Sequence, residues 1–227
     1  MSAELRVVIR GTRPLATLEW EIDRLELSNA LALDDMLLEW GCAELFSPRF
    51  SVAYADISTE TRSKVASGRA VTASERSAIV GTVRWARGPL LDGLLRLDPV
   101  WRACTLGQEE LGALRTVNLP TFVVVAPSRR LDDLVVGLKR GLRSPHDEAF
   151  AAGFQSLRNS EWQPGPYRPI LVTQDAAKVP FIMEGYTRLA VLAARAAAGV
   201  RLARIHVILG TCPRLAEWKL SSGRQLI

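Results

Sequence analysis

The chain has 227 residues, of which 48% are hydrophobic and 23% charged, which is typical of a soluble globular protein that buries a sizeable core. No apolar run is long enough to cross a membrane, because Arg195 and Arg201 interrupt the alanine-rich candidate, and the N-terminus lacks the apolar core of a secretory signal. Three widely spaced cysteines without a histidine cluster argue against a disulfide framework or a zinc site, so we expect a reduced, cytoplasmic protein with no metal ligands of its own.

The net charge of +5 is unevenly distributed along the chain. Residues 1–60 hold 5 Lys/Arg against 11 Asp/Glu, whereas the remainder holds 24 against 13. A basic C-terminal body favours anionic partners, either a nucleotide or a nucleic acid. A solvated surface, or an acidic N-terminal segment packed on a basic one, would give the same pattern.

The first half of the chain has helical periodicity. Leucine and isoleucine recur at spacings of three and four from Leu15 through Leu38, which predicts a helical region that ends at Ser47-Pro48. The run "SERSAIVGTVRWA" predicts a second helix, capped by Thr72 or Ser74 and broken at Gly88-Pro89. "PLLDGLLRLDPVW" predicts a third helix and "GQEELGALR" a short fourth.

After about residue 115 the pattern predicts strands and helices in the order β-α-α-β-β-α-β. The predicted strands are "TFVVVA" (121–126), "RPILVT", "VPFIME" and "RIHVILG"; the predicted helices are "LDDLVVGLKRGL", "SPHDEAFAAGFQSLRN" with Ser144 as cap, and "YTRLAVLAARAAAGV". The predicted fold class is therefore α+β, with a helical domain at 1–115 and a small mixed-sheet α/β domain at 116–227.

The junction "EGYTR" lies where the strand "VPFIME" turns into the following helix. Gly185 permits a tight turn there, and the N–H groups of the first helical turn have no partner within the helix. Such a terminus can bind an anion, Arg188 adds a planar fork that fits phosphate, and Thr187 could cap the helix or donate its hydroxyl. Alternatively, Thr187 is only a cap, Glu184 pairs with Arg188, and nothing binds.

The run from Arg168 to Gly210 resembles the core of the ParB/sulfiredoxin-like superfamily. In that superfamily a strand pair leads into a G-x-x-R turn, followed by an alanine-rich helix and a closing strand, and here the turn reads Gly185-Tyr186-Thr187-Arg188. The segment "TCPRLAEWKL" also resembles the tail of bacterial members that carry an E-G-x-T-R motif. The resemblance covers about residues 115 to 220.

This resemblance implies a nucleotide-binding function. The turn holds phosphates of CTP in ParB and of ATP in sulfiredoxin and related kinases, so the implied phosphate-binding residues are Gly185, Tyr186, Thr187 and Arg188, with ATP or CTP and Mg²⁺ as cofactor. Asp175, in the loop between the paired strands, could face the same site. Glu184 is the carboxylate best placed in sequence for phosphoryl transfer or nucleotide hydrolysis.

At two positions the sequence departs from the motif of this superfamily, and these differences narrow the range of expected activities. Tyr186 stands where sulfiredoxin has its nucleophilic cysteine, which excludes that chemistry, and Thr187 replaces the histidine that often precedes the arginine. The chain ends about forty residues past the motif, which leaves little room for a ParB-type helix-turn-helix domain.

Three classes of function stay open. The first is a nucleotide-dependent enzyme or switch, for example a phosphotransferase or an NTPase. The second is a nucleic-acid-binding or nuclease-like protein that uses the basic C-terminal body. The third is a non-catalytic interaction module, such as an antitoxin or regulator, with the N-terminal helices as the surface for a protein partner or a second copy.

Overall fold

A computed structural model describes residues 30–47, 50–142, 148–159, 167–175 and 178–221. The predicted helical pattern around Leu15 to Leu25 and the proposed cap Ser144 lie outside these ranges. The described residues form a mixed α/β structure with eight α-helices and one five-stranded mixed sheet, which agrees with the α+β class expected from the sequence.

Three helices form the first half of the described chain: α1 (Leu33–Glu44), α2 (Thr59–Ala66) and α3 (Ala73–Leu95). Thr72 caps α3 as predicted, since its side chain accepts from the Glu75 N–H while the Glu75 carboxylate accepts from the Thr72 N–H. Helix α1 packs closely on α3, because a Cβ on Gly41 would lie 2.4 Å from Cγ2 of Ile79.

The five strands form one sheet in the order β1-β5-β3-β4-β2. Their bounds are β1 (Val100–Leu106), β2 (Arg115–Thr116), β3 (Ile170–Thr173), β4 (Phe181–Glu184) and β5 (Ile205–Thr211). Strands β1 and β5 are antiparallel, β5 and β3 parallel, β3 and β4 antiparallel, and β4 and β2 parallel. The predicted pair "RPILVT" and "VPFIME" is therefore confirmed as β3 and β4.

Five further helices lie between the strands along the chain: α4 (Gln108–Leu111), α5 (Pro120–Val123), α6 (Leu131–Lys139), α7 (Glu148–Asn159) and α8 (Tyr186–Ala197). A short 3₁₀ helix spans Leu215–Glu217. Helices α6 and α7 both contact α8, and the side chains of Leu189 and Leu192 on α8 are buried. Helix α8 follows β4 directly, as the sequence predicts, and ends before Gly199 in a left-handed conformation.

Three details differ from the sequence-based expectation. The run "TFVVVA" was predicted as a strand, but its first residues form the one-turn helix α5, with Pro120 at the first helical position. Helix α3 continues through Gly88-Pro89, where a break was predicted. Strand β1 lies in the segment that was predicted to be helical, so the sheet recruits residues from before position 115.

One continuous hydrophobic core links the helices of the first half with the sheet. Trp101 of β1 faces Gly210 of β5 so closely that a Cβ on Gly210 would lie 2.5 Å from the indole ring. Leu31, just before α1, extends this edge by donating its N–H to the carbonyl of Trp101. Within the described ranges, no helix has the length and apolar character needed to span a bilayer.

Candidate functional site

Gly185 forms the turn between β4 and α8. Its φ of +92° lies in the left-handed region, which side chains other than glycine rarely adopt. A Cβ at this position would also lie 2.8 Å from Cβ of Pro169. The glycine is therefore required twice, by the backbone conformation and by the close approach of the segment that precedes β3.

The first turn of α8 presents backbone N–H groups that the helix itself does not use. The N–H of Leu189 donates to the carbonyl of Gly185, and no side chain caps the helix. Thr187 is the second helical residue and Gly185 occupies the cap position, so of the two roles considered for Thr187 the capping role is wrong. Among the described residues, no acceptor contacts the N–H groups of Thr187 and Arg188.

Glu184 and Arg188 form an ion pair across this turn. Nη2 of Arg188 donates to Oε2 of Glu184, and Nη1 donates to the carbonyl of Tyr167. The side chain of Arg188 is only 18% exposed and that of Glu184 only 15%. The ion pair between Glu184 and Arg188 that the sequence allows is thus present, and the N–H groups of the same turn are still unused.

Burial controls the protonation of Glu184. Removal of the carboxylate from water raises the pKa of Glu184 above its usual range, while the positive charge of Arg188 opposes that shift. The negative charge of Glu44 raises the pKa of Glu184 further, and Arg87 lowers it. The pKa of Glu184 therefore depends on its own partner Arg188 and also on a second pair of opposite charges, Glu44 and Arg87.

The second pair comes from the helices of the first half and was not foreseen from the sequence. Glu44, at the end of α1, is 2% exposed and accepts hydrogen bonds from Nε1 of Trp40 at 2.8 Å and from the hydroxyl of Tyr54 at 3.2 Å. Arg87 of α3 donates to Glu44 through Nε at 2.8 Å and through Nη2, and its guanidinium lies 3.8 Å from the centre of the Phe50 ring. A buried carboxylate needs such partners, because an uncompensated charge in the interior is costly.

The segment before β3 is fastened to α1 and α2. Arg168 donates through Nε to both carboxylate oxygens of Glu39 at 2.9 Å, and the hydroxyl of Tyr167 donates to the carbonyl of Val65 at 2.9 Å. Burial raises the pKa of Tyr167 to about 12. The Tyr167 side chain is thus held in place by the fold.

Tyr186 points into the protein. Its ring stacks on Phe122 with centroids 4.0 Å apart, and its hydroxyl donates to the carbonyl of Ile182 and accepts from the N–H of Val117 at 3.2 Å. Both hydrogen bonds tie α8 to the backbone beside it. The side chain therefore serves the fold, and a phosphate contact by Tyr186 could come only from its main chain.

Asp175 is not brought to this turn. Ile170 at the start of β3 pairs with Glu184, whereas Asp175 follows the far end of β3, where its carbonyl accepts from the Lys178 N–H at 3.1 Å. Strands rise by about 3.3 Å per residue, so the hairpin separates Asp175 from Gly185 by roughly its own length. The residues that the structure does bring together are Glu184, Gly185, Thr187 and Arg188, and the charges of Glu44 and Arg87 act on Glu184.

The described part of the chain contains no group of three His, Cys, Asp or Glu side chains that could hold a metal ion. Comparisons with models of protein families, with curated proteins and with solved structures find no match to this chain.

Proposed function

We propose that the chain binds the phosphate groups of a nucleoside triphosphate, ATP or CTP with Mg²⁺, at the turn from Glu184 to Arg188. The observation that carries the proposal is the start of α8, where left-handed Gly185 leaves the N–H groups of Thr187 and Arg188 without acceptors beside a guanidinium. Helix α8 has 12 residues, so its dipole adds positive potential at this end. The resemblance to the ParB/sulfiredoxin-like superfamily points to the same residues.

The ion pair of Arg188 fits this proposal through competition. A phosphate oxygen that accepts from Arg188 takes the place of the Glu184 carboxylate, and the pKa of Glu184, already raised by burial, makes its protonation easier at that moment. Binding would then be accompanied by proton uptake. We therefore expect affinity for nucleotide to increase as the pH falls towards the range where Glu184 titrates.

Phosphoryl transfer or nucleotide hydrolysis is the reaction class proposed for this site. A bound Mg²⁺ would neutralise charge on the β- and γ-phosphates. Glu184 is the carboxylate closest to the turn, but in the structure it is held by Arg188. Its use as a catalytic group therefore depends on release from that pair, and the geometry supports binding more directly than turnover.

The test compares two double variants that each remove one ion pair. The E184Q/R188Q variant removes the pair at the turn without leaving a lone buried charge, and the R214Q/E217Q variant removes an exposed pair after β5 with the same change in charge. Thermal unfolding is measured with ATP or CTP and Mg²⁺. A ligand at 100 times its Kd should stabilise the wild type by about 2.7 kcal/mol.

We expect E184Q/R188Q to lose the nucleotide-dependent shift and R214Q/E217Q to retain it. R188K should bind more weakly than the wild type, because an ammonium cannot reproduce the planar fork. A wild type that does not respond to either nucleotide disproves the proposal. Salt-dependent binding of DNA would then favour the nucleic-acid alternative, and no response in either assay would favour the interaction module.

A further inference from the structure

A cavity of about 360 Å³ lies among α4, α6 and α8, away from the start of α8. Its apolar walls are formed by Leu111, Val135, Val136, Ala193, Ala196 and Ala197. Cavities of roughly 300–1,000 Å³ with mainly apolar walls and a few polar groups are typical of sites for small molecules. The cavity therefore has the size and the lining of such a site.

Two helix faces form the long walls of this cavity. The lining residues have the spacing of three and four that places side chains on one face, at positions 132, 135, 136 and 139 of α6 and at 193, 196 and 197 of α8. The alanine side chains of α8 are short, which leaves space between the two helices, and Val136 is still 43% exposed. Apolar surface of both helices is therefore accessible to a ligand.

The charged side chains that line the cavity have opposite signs at its two ends. Asp132 begins the lining face of α6 and Lys139 ends it, about 10 Å further along the helix axis. Helix α4 adjoins the Asp132 end, because the N–H of Asp132 donates to the carbonyl of Gly112 at 3.2 Å. Glu109 of α4 therefore belongs to the acidic end, and Lys139 forms the basic end.

Lys139 and Glu109 each carry a charge that a ligand can use. Both side chains are exposed, and among the described residues neither has a partner for its ammonium or carboxylate group. Asp132, in contrast, is held by Arg130, whose Nε donates to its two carboxylate oxygens at 3.0 and 3.2 Å. The cavity thus offers one ammonium and one carboxylate, at opposite ends of an apolar surface.

We propose that this cavity binds a small zwitterionic molecule, in which an apolar body separates an ammonium group at Glu109 from a carboxylate at Lys139. The apolar body leaves water when it contacts the walls, and each charged end meets a side chain of opposite sign. The lining residues of α8 begin at Ala193, five residues after Arg188 and about 8 Å along the helix, so this site is separate from the start of α8. It does not depend on the function proposed there.

The experiment titrates 8-aminooctanoate, an apolar chain with an ammonium at one end and a carboxylate at the other, into the full chain at constant ionic strength. Amide chemical shifts followed by NMR give the Kd, and octanoate and octylamine, which each lack one charged group, are titrated in parallel. The variants are K139E, E109K and the double variant K139E/E109K, which exchanges the two charges. The matched controls R140E and D133K change exposed charges beside the lining residues of α6 that do not line the cavity. Urea denaturation of each variant verifies that the fold is kept.

We expect the wild type to bind 8-aminooctanoate, and to bind octanoate and octylamine about 3-fold or more weakly, because each of these loses one ion pair. K139E and E109K should weaken the binding of 8-aminooctanoate by at least the same factor, and R140E and D133K should leave it unchanged. K139E/E109K should restore the Kd to within about 2-fold of the wild-type value, since the ligand can then bind in the reverse orientation.

Three results would each overturn the inference. The first is that 8-aminooctanoate does not bind to the wild type. The second is that octanoate or octylamine binds as tightly as 8-aminooctanoate, which would show that one of the two charges is not recognised. The third is that the folded double variant K139E/E109K binds no better than the single variants, in which case Lys139 and Glu109 are only solvated side chains beside an apolar cavity.

Discussion

Glu184 has an environment unlike that of a surface carboxylate. It is held by Arg188, lies within the field of Glu44 and Arg87, and has a pKa raised mainly by burial. A raised pKa means that the folded protein binds this proton more tightly than the unfolded chain does. This side chain therefore links the stability of the fold to pH.

The direction of that linkage can be measured. The unfolded glutamate titrates near pH ~4.3, so the stabilising effect of the Glu184 proton is complete below that value and is lost as pH rises through the raised pKa of the folded state. We expect the stability of the wild type relative to E184Q to decline with rising pH above about 4. Urea denaturation midpoints from pH 4 to 8 measure this difference.

The control for this prediction is Glu217, whose pKa is lowered by its hydrogen bond from Arg214. Its contribution is present above the unfolded pKa and is lost as pH falls, so the stability of the wild type relative to E217Q should change in the opposite direction. If the E184Q comparison follows the E217Q comparison in sign, the attraction of Arg188 outweighs the burial of Glu184.

At the scale of the elements, the turn between β4 and α8 depends on the absence of a side chain at Gly185. Gly199, after the other end of α8, has a similar φ of +85°, but a Cβ there would meet nothing within 4 Å. Substitution of Gly199 by alanine should cost about 1–2 kcal/mol from the left-handed backbone alone. Gly185→Ala should cost at least ~1 kcal/mol more, because the new Cβ would overlap Pro169.

Equilibrium unfolding of the two glycine variants in urea gives the comparison directly, since both substitutions add the same methyl group. Equal losses of stability would show that the 167–169 segment shifts to accommodate a side chain. The close approach of Pro169 to Gly185 would then carry no structural constraint.

The elements that the sequence predicts well are those whose partners lie nearby in the chain. Strands β3 and β4 form a hairpin, and α8 begins one residue after β4, so short apolar runs and a glycine were sufficient signals. Strand β1 escaped detection because its partner β5 lies about a hundred residues later and its pattern is interrupted by Arg102. The run "TFVVVA" has strand composition, but Pro120 starts a helical turn there.

The candidate site shows the same division between local and distant information. The ion pair of Glu184 and Arg188 has the spacing of four residues that the sequence displays, so it could be predicted as one of two alternatives. Glu44 and Arg87 lie 43 residues apart, and both are far from Gly185 in sequence. Only the packing of α1 and α3 brings these two charges close enough to act on Glu184.

For the whole molecule, the continuous core predicts one cooperative unfolding transition. Strand β1 belongs by sequence to the first half but pairs with β5, and Leu31 joins its edge through Trp101. The helices of the first half and the sheet therefore lose their packing together. We expect urea transitions followed by tryptophan fluorescence and by far-ultraviolet circular dichroism to coincide.

The same measurement tests the division into domains at residue 115. Two separate domains would give transitions with different midpoints, because the sheet and the helices would each report their own stability. A thermal scan by calorimetry adds a second criterion, since the calorimetric and van't Hoff enthalpies agree only when the chain unfolds as one unit.

The four charges at the start of α8 have an evolutionary consequence. Glu44, Arg87, Glu184 and Arg188 act on one another inside the protein, so the loss of a single member leaves an uncompensated charge away from water. Selection should therefore tolerate change at these positions mainly in matched pairs. Among any set of related chains, we expect positions 44 and 87 to co-vary, although they lie far apart in the sequence. We expect the same of positions 184 and 188.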